Sequence, residues 1–78
     1  MIEIICNWYD DSSEPNLEET ALISIDKSVI YELLEYVKSD PEVKHITDYQ
    51  INGSEGLINY TNTNNQTKFV DFYEKENE

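Results

Sequence analysis

The sequence predicts a single small α+β domain: an antiparallel-rich sheet of about five strands with one helix packed on one face, in the order β-β-α-β-β-β. Three observations predict it. Apolar residues alternate with a period of two on both sides of the chain's middle, which is the signature of half-buried strands. Between Asp26 and Ser39 alone they recur at spacings of three and four, the signature of a helix. Pro15, Pro41 and the run Asn52-Gly53-Ser54-Glu55-Gly56 punctuate the chain between these blocks. No internal repeat or long linker divides it, so residues 1–78 form one unit. At 78 residues a chain buries only about 60% of its unfolded surface, and the core is thin.

The elements follow in order. Residues 2–9 place Ile2, Ile4, Cys6 and Trp8 on one face of a strand. Residues 10–19 hold five acids and no base and read as a solvated loop. Thr20 to Ile25 is a second strand, the hairpin partner of the first. Asp26 suits a helix N-cap, because its carboxylate accepts hydrogen bonds from free backbone N–H groups at the positive end of the dipole. Val29, Ile30, Leu33, Leu34 and Val37 line the helix's apolar face; Ser28, Glu32, Glu35 and Ser39 line the other. Pro41 disfavours helical geometry at Asp40, so the helix stops near Ser39. A meander completes the chain: Val43–Ile51, Leu57–Thr61 and Thr67–Glu74. Asn62–Gln66 supplies a turn, since Asn tolerates left-handed backbone angles. If Ile58, Tyr60, Val70 and Phe72 face the helix, then Phe69, Asp71 and Tyr73 face outward, and a slip of one residue exchanges the two faces. One helix cannot cover both faces of five strands, so an open face bearing aromatics and carboxylates is expected.

Charge narrows the function classes. Seventeen acids face five lysines and no arginine, for a net charge of −12. Direct binding to DNA, RNA or an anionic bilayer needs a basic patch, and none is present. No apolar run reaches the ~18 residues of a membrane span, and Met1-Ile2-Glu3 lacks the basic start of a signal peptide. The single Cys6 excludes an internal disulfide and fits a reducing cytoplasm, the host cell's if the protein is phage-encoded. A mean hydropathy of −0.64 with high charge invites comparison with disordered chains. Nine isoleucines, five leucines, four valines, six tyrosines and Trp8 in periodic blocks argue for a folded one.

The inventory for chemistry is small, and no enzymatic activity or cofactor is expected. Cys6 and His45 are the one thiol–imidazole combination, but Cys6 sits on an apolar strand face and reads as a buried small hydrophobe. Zinc takes about four N or S ligands, and the chain offers two. Asp10, Asp11 and Glu14 are oxygen donors without the alternating pattern of a calcium loop. No metal site follows. Three Asn-x-Ser/Thr sequons, at Asn52, Asn59 and Asn65, match chance in a chain rich in Asn and Thr.

The acid excess is the feature that needs a function. A small soluble domain carries a net charge of about 2–8 in magnitude, and −12 exceeds it. Residues 1–40 hold ten acids and two lysines, while residues 41–78 hold seven and three. Asp10, Asp11, Glu14, Glu18 and Glu19 form the densest run, and with Tyr9 they are the expected main contact. Glu32 and Glu35 on the helix are the second-choice patch, and Asp71 and Tyr73 are further candidate contact residues. Such a surface attracts a basic groove, and tyrosine rings accept arginine or lysine cations. Basic grooves belong mostly to proteins that grip nucleic acid. The expected partner is therefore a basic nucleic-acid-binding protein, a nuclease or its complex.

In size, acidity and lack of catalytic residues the chain resembles phage-encoded antagonists of host nucleases, the anti-CRISPR and anti-restriction class of DNA mimic. That resemblance implies a stoichiometric inhibitor whose carboxylates stand where phosphates would, blocking the channel. An immunity protein or antitoxin capping a basic nuclease toxin needs nearly the same surface. A non-inhibitory adaptor, its acidity serving solubility, is the third class. Binding through an apolar interface would distinguish the adaptor by its indifference to salt.

Overall fold

Alternation in the sequence becomes a five-stranded sheet crossed by one helix. The structure, a computed structural model, describes residues 2–10, 16–26 and 29–75. The elements are β1 (Ile2–Tyr9), β2 (Leu17–Ile25), α1 (Val29–Lys38), β3 (Val43–Asn52), β4 (Glu55–Asn62) and β5 (Thr67–Glu74). The strand order is β2-β1-β5-β4-β3, and every neighbouring pair is antiparallel. The first and last strands thus meet near the centre, in register from Ile4↔Glu74 to Tyr9↔Phe69. The edges β2 and β3 are joined through α1, which therefore crosses one face of the sheet.

That face holds the core. Ile4, Cys6 and Trp8 of β1 pack with Ile58 and Tyr60 of β4 and with Val70 and Phe72 of β5, all buried. Leu33 and Val37 of α1, both fully buried, close the layer from above. Leu34 and Tyr36 pack at its margin. The side chains of Val29 and Ile30, and Ser28, fall outside the described residues. Trp8 is fixed by its neighbours: its Nε1–H donates to the Tyr36 hydroxyl at 3.3 Å. Its ring meets Tyr36 and Tyr60 edge-on, with centroids 5.8 and 5.7 Å apart.

The connections show why the chain turns where it does. The helix ends at Lys38, and Ser39 and Asp40 donate to the carbonyls of Glu35 and Val37. Gly53-Ser54 is a two-residue hairpin loop, with φ +64° at Gly53, a conformation glycine adopts freely. In the β4–β5 turn the buried Asn62 accepts the N–H groups of Asn64 and Gln66 on Oδ1, at 3.0 and 2.8 Å. Asn65 has φ +61°, the left-handed conformation expected of this Asn-rich stretch.

Three expectations need correction. The loop is shorter than residues 10–19: β2 begins at Leu17, opposite Tyr9, past an irregularity at Trp8/Tyr9. Glu18 and Glu19 are therefore strand residues, since backbone pairing with β1 outweighs their charge. β3 and β4 are longer than expected and run to Asn52 and from Glu55, because a two-residue turn needs no more chain. Glu32 does not stand free on the helix: its Oε2 accepts the backbone N–H of Asp26 at 2.7 Å, and it is half-buried. A carboxylate near the first turn thus braces the strand-to-helix joint.

Candidate protein-binding surface

The period of two that buries Ile4, Cys6 and Trp8 turns Ile5, Asn7 and Tyr9 to the other face, which no helix among the described residues covers. Cross-strand register assembles that face row by row. Leu22, Ile5 and Tyr73 form one row; Thr20, Asn7, Asp71, Leu57 and Gln50 form the next; Tyr9, Phe69, Asn59 and Asp48 form a third. Leu17, Leu22 and Tyr73 are about half exposed, at 56, 53 and 44%. The Tyr9 and Phe69 rings stack at 4.6 Å with an 18° tilt. The Thr20 hydroxyl donates to Asn7 Oδ1 at 2.9 Å.

Asp71 lies in the middle of this face. Asn7 and Leu57 are opposite it on the two neighbouring strands, and Phe69 and Tyr73 flank it on its own. Partial burial raises its carboxyl above the usual aspartate range, and a hydrogen bond from the Phe72 backbone offsets part of this. Beside it a concavity of about 860 Å³, open to solvent, is lined by Asp71, Tyr73, Leu57, Gln50 and Glu55 among others.

A second acidic region forms at one end of the helix side. Burial pushes the Tyr60 hydroxyl up to about 12, and the charges of Glu18, Asp40 and Glu42 add to it. Tyr36 is raised too, first by burial, with Glu19 and Asp40 among the lesser causes. Glu18 pairs with Lys68 at 2.8 Å, the one ion pair among the described residues. Asp10 closes the loop on itself: its Oδ1 accepts the Asn16 N–H at 3.0 Å, and its own N–H donates to the Asn16 carbonyl at 3.1 Å. Asp11 and Glu14 lie outside the described residues. Glu35 is exposed on the helix. No family model matches this chain, and no curated protein or solved structure matches it.

The expected contact residues therefore separate into different surfaces. Tyr9, grouped with the loop acids in sequence, belongs with Asp71 and Tyr73 on the open face, stacked on Phe69. Glu18 and Glu19 instead join Asp40 and Glu42, two acids the sequence did not single out. Their neighbourhood depends on how the helix exit meets the sheet: the Thr63 N–H donates to the Glu42 carbonyl at 2.9 Å. Leu22 and Leu57 were missed as well, although strict alternation in their strands points to them.

Burial pushes the Cys6 thiol up to about 11, which keeps it protonated at neutral pH. His45 is exposed and paired with Thr61 on the edge strand β3, which β5 and β4 separate from β1. The two do not meet. Among the described residues no three His, Cys, Asp or Glu side chains gather as a metal site. No helix among them is long and apolar enough to cross a membrane.

Proposed function

We propose that this chain is a stoichiometric acidic binding protein that occupies the nucleic-acid-binding channel of a basic partner, a nuclease or nuclease complex. The observation that carries the reading is uncompensated charge: −12 overall, with a single ion pair among the described residues. Fields of that size steer association with a basic groove and oppose association with nucleic acid itself. Several acids are hydrogen-bonded to backbone N–H groups, as at Asp10, Glu32, Asp40 and Asp48. Such bonds hold the carboxylate in place and leave its charge available. Fixed carboxylates resemble a phosphate array more closely than mobile ones do.

The decisive experiment recovers the partner from native host lysate on immobilised protein, then measures that partner's nucleic-acid binding as this chain is added. Loss of binding at a 1:1 ratio, with affinity falling steeply from 0.05 to 0.2 M salt, is the expected result. A partner that keeps its nucleic acid, or binding indifferent to salt, points to an adaptor instead. Gel shifts at low salt with single- and double-stranded probes should show no binding by this chain alone.

A further inference from the structure

The open sheet face combines features that a solvated face does not require. It carries exposed leucines, a stacked aromatic pair, a half-exposed tyrosine and, in their midst, a partly desolvated carboxylate. A partner must satisfy the carboxylate and cover apolar surface together. Of the described lysines, Lys68 pairs with Glu18, Lys44 donates to Asn65, Lys38 ends the helix and Lys75 follows the end of β5. None stands beside Asp71. The chain has no arginine.

We propose that this face is an arginine seat. A guanidinium from the partner bonds to the Asp71 carboxylate and lies against the Tyr73 ring. The segment carrying that arginine covers Tyr9, Phe69 and Leu22. This rests on the reading that the partner is a basic protein, and it names the side chain by which that protein is held. Arginine fits where lysine does not: its planar fork meets a carboxylate through two parallel hydrogen bonds, and its flat face stacks on an aromatic ring. It is also less strongly hydrated than an ammonium, so a partly apolar surface costs it less. The concavity beside Asp71 is open to solvent, suited to a side chain on a protein surface and not to an enclosed small molecule. A second copy of this chain is the wrong occupant. It brings no arginine and a further charge of −12.

The test is an NMR titration of the whole chain with two blocked peptides of equal charge, (Gly-Arg)₃ and (Gly-Lys)₃. The arginine peptide should bind roughly fivefold or more tightly than its lysine counterpart. Amide shifts should centre on Asn7, Leu57, Asp71 and Tyr73. Asp71→Asn should abolish the preference while keeping a dispersed spectrum, and Tyr73→Leu should reduce it. Equal binding of the two peptides overturns the seat. So does a preference that survives Asp71→Asn, or shifts centred on Glu19, Asp40 and Glu42. In those cases the acidic-protein reading stands, since its own test is displacement of nucleic acid from the partner. Failure of both peptides to bind even at 0.02 M salt also overturns the seat, and leaves the acidic-protein reading to its own displacement test.

Discussion

Asp71 is a carboxylate held where its charge is least welcome. Its raised pKa means the folded chain binds its proton more tightly than the unfolded chain does. Stability attached to this group is therefore greatest at low pH and is lost as pH rises through the folded value. Asp71→Asn removes the penalty and can keep the bond from the Phe72 N–H. The variant should melt at or above the wild-type temperature at pH 7, with the gap closing as pH falls towards 4. A variant that melts lower at neutral pH would assign Asp71 a structural bond instead. Cys6 is the opposite case, buried for packing alone. Its thiol, pushed up to about 11, should resist a disulfide reagent in native buffer and react within minutes in denaturant.

Among the elements, α1 and the β3–β4 hairpin each depend on close packing. The helix is ten residues long, too short to persist alone in water, so Leu33 and Val37 hold it to the sheet. Leu33→Ala should cost about 2–5 kcal/mol, measurable by urea unfolding and a large fraction of what a domain this size possesses. The hairpin depends on Gly56. A Cβ there would lie 2.1 Å from the Gln50 carbonyl oxygen and 3.0 Å from Phe72, whereas at Gly53 nothing lies within 4 Å. Gly56→Ala should therefore cost more than about 1 kcal/mol and more than Gly53→Ala, whose penalty is backbone strain alone. Equal losses would mean that β3 shifts to make room. The two edges also differ. β3 carries irregularities at Val43/His45 and Ile46/Asp48, which twist an edge away from other strands, while β2 pairs regularly from Glu19 to Ile25.

Over the whole molecule, net charge works against the compact state. Folding gathers carboxylates that are distant in the chain, such as Glu19 and Asp40, whose charges both act on the Tyr36 hydroxyl. Raising salt shortens the screening length from about 30 Å at 0.01 M to about 8 Å at 0.15 M. The melting temperature should rise over that interval, and again on mild acidification towards pH 5. A calorimetric scan indifferent to salt would mean the acids are spaced beyond mutual reach. The same screening weakens association with a basic partner. Stability and affinity should move in opposite directions with salt, a combination that an apolar adaptor would not show.

Element order, the helix end and the buried side of β1 were all legible in the sequence. Each follows from a local rule: a period of two or of three to four, a proline after Asp40, an asparagine that tolerates positive φ. The bounds of β1 and β5 were legible as well; the start of β2 was not, because Leu17, Glu18 and Glu19 join it through pairing with distant Tyr9 and Trp8. Nor was the company each candidate residue keeps. Tyr9 is adjacent to Asp10 in the chain, yet it stacks on Phe69, sixty residues away. Sequence alone determined that a strongly acidic chain would form one sheet with one covered face. Tertiary structure decided that Asp71, Tyr73 and the Tyr9–Phe69 pair share the open face and that Glu32 is occupied by Asp26. The physical reason is that periodicity acts within a few residues, whereas strand order and register bring together residues that no local spacing relates.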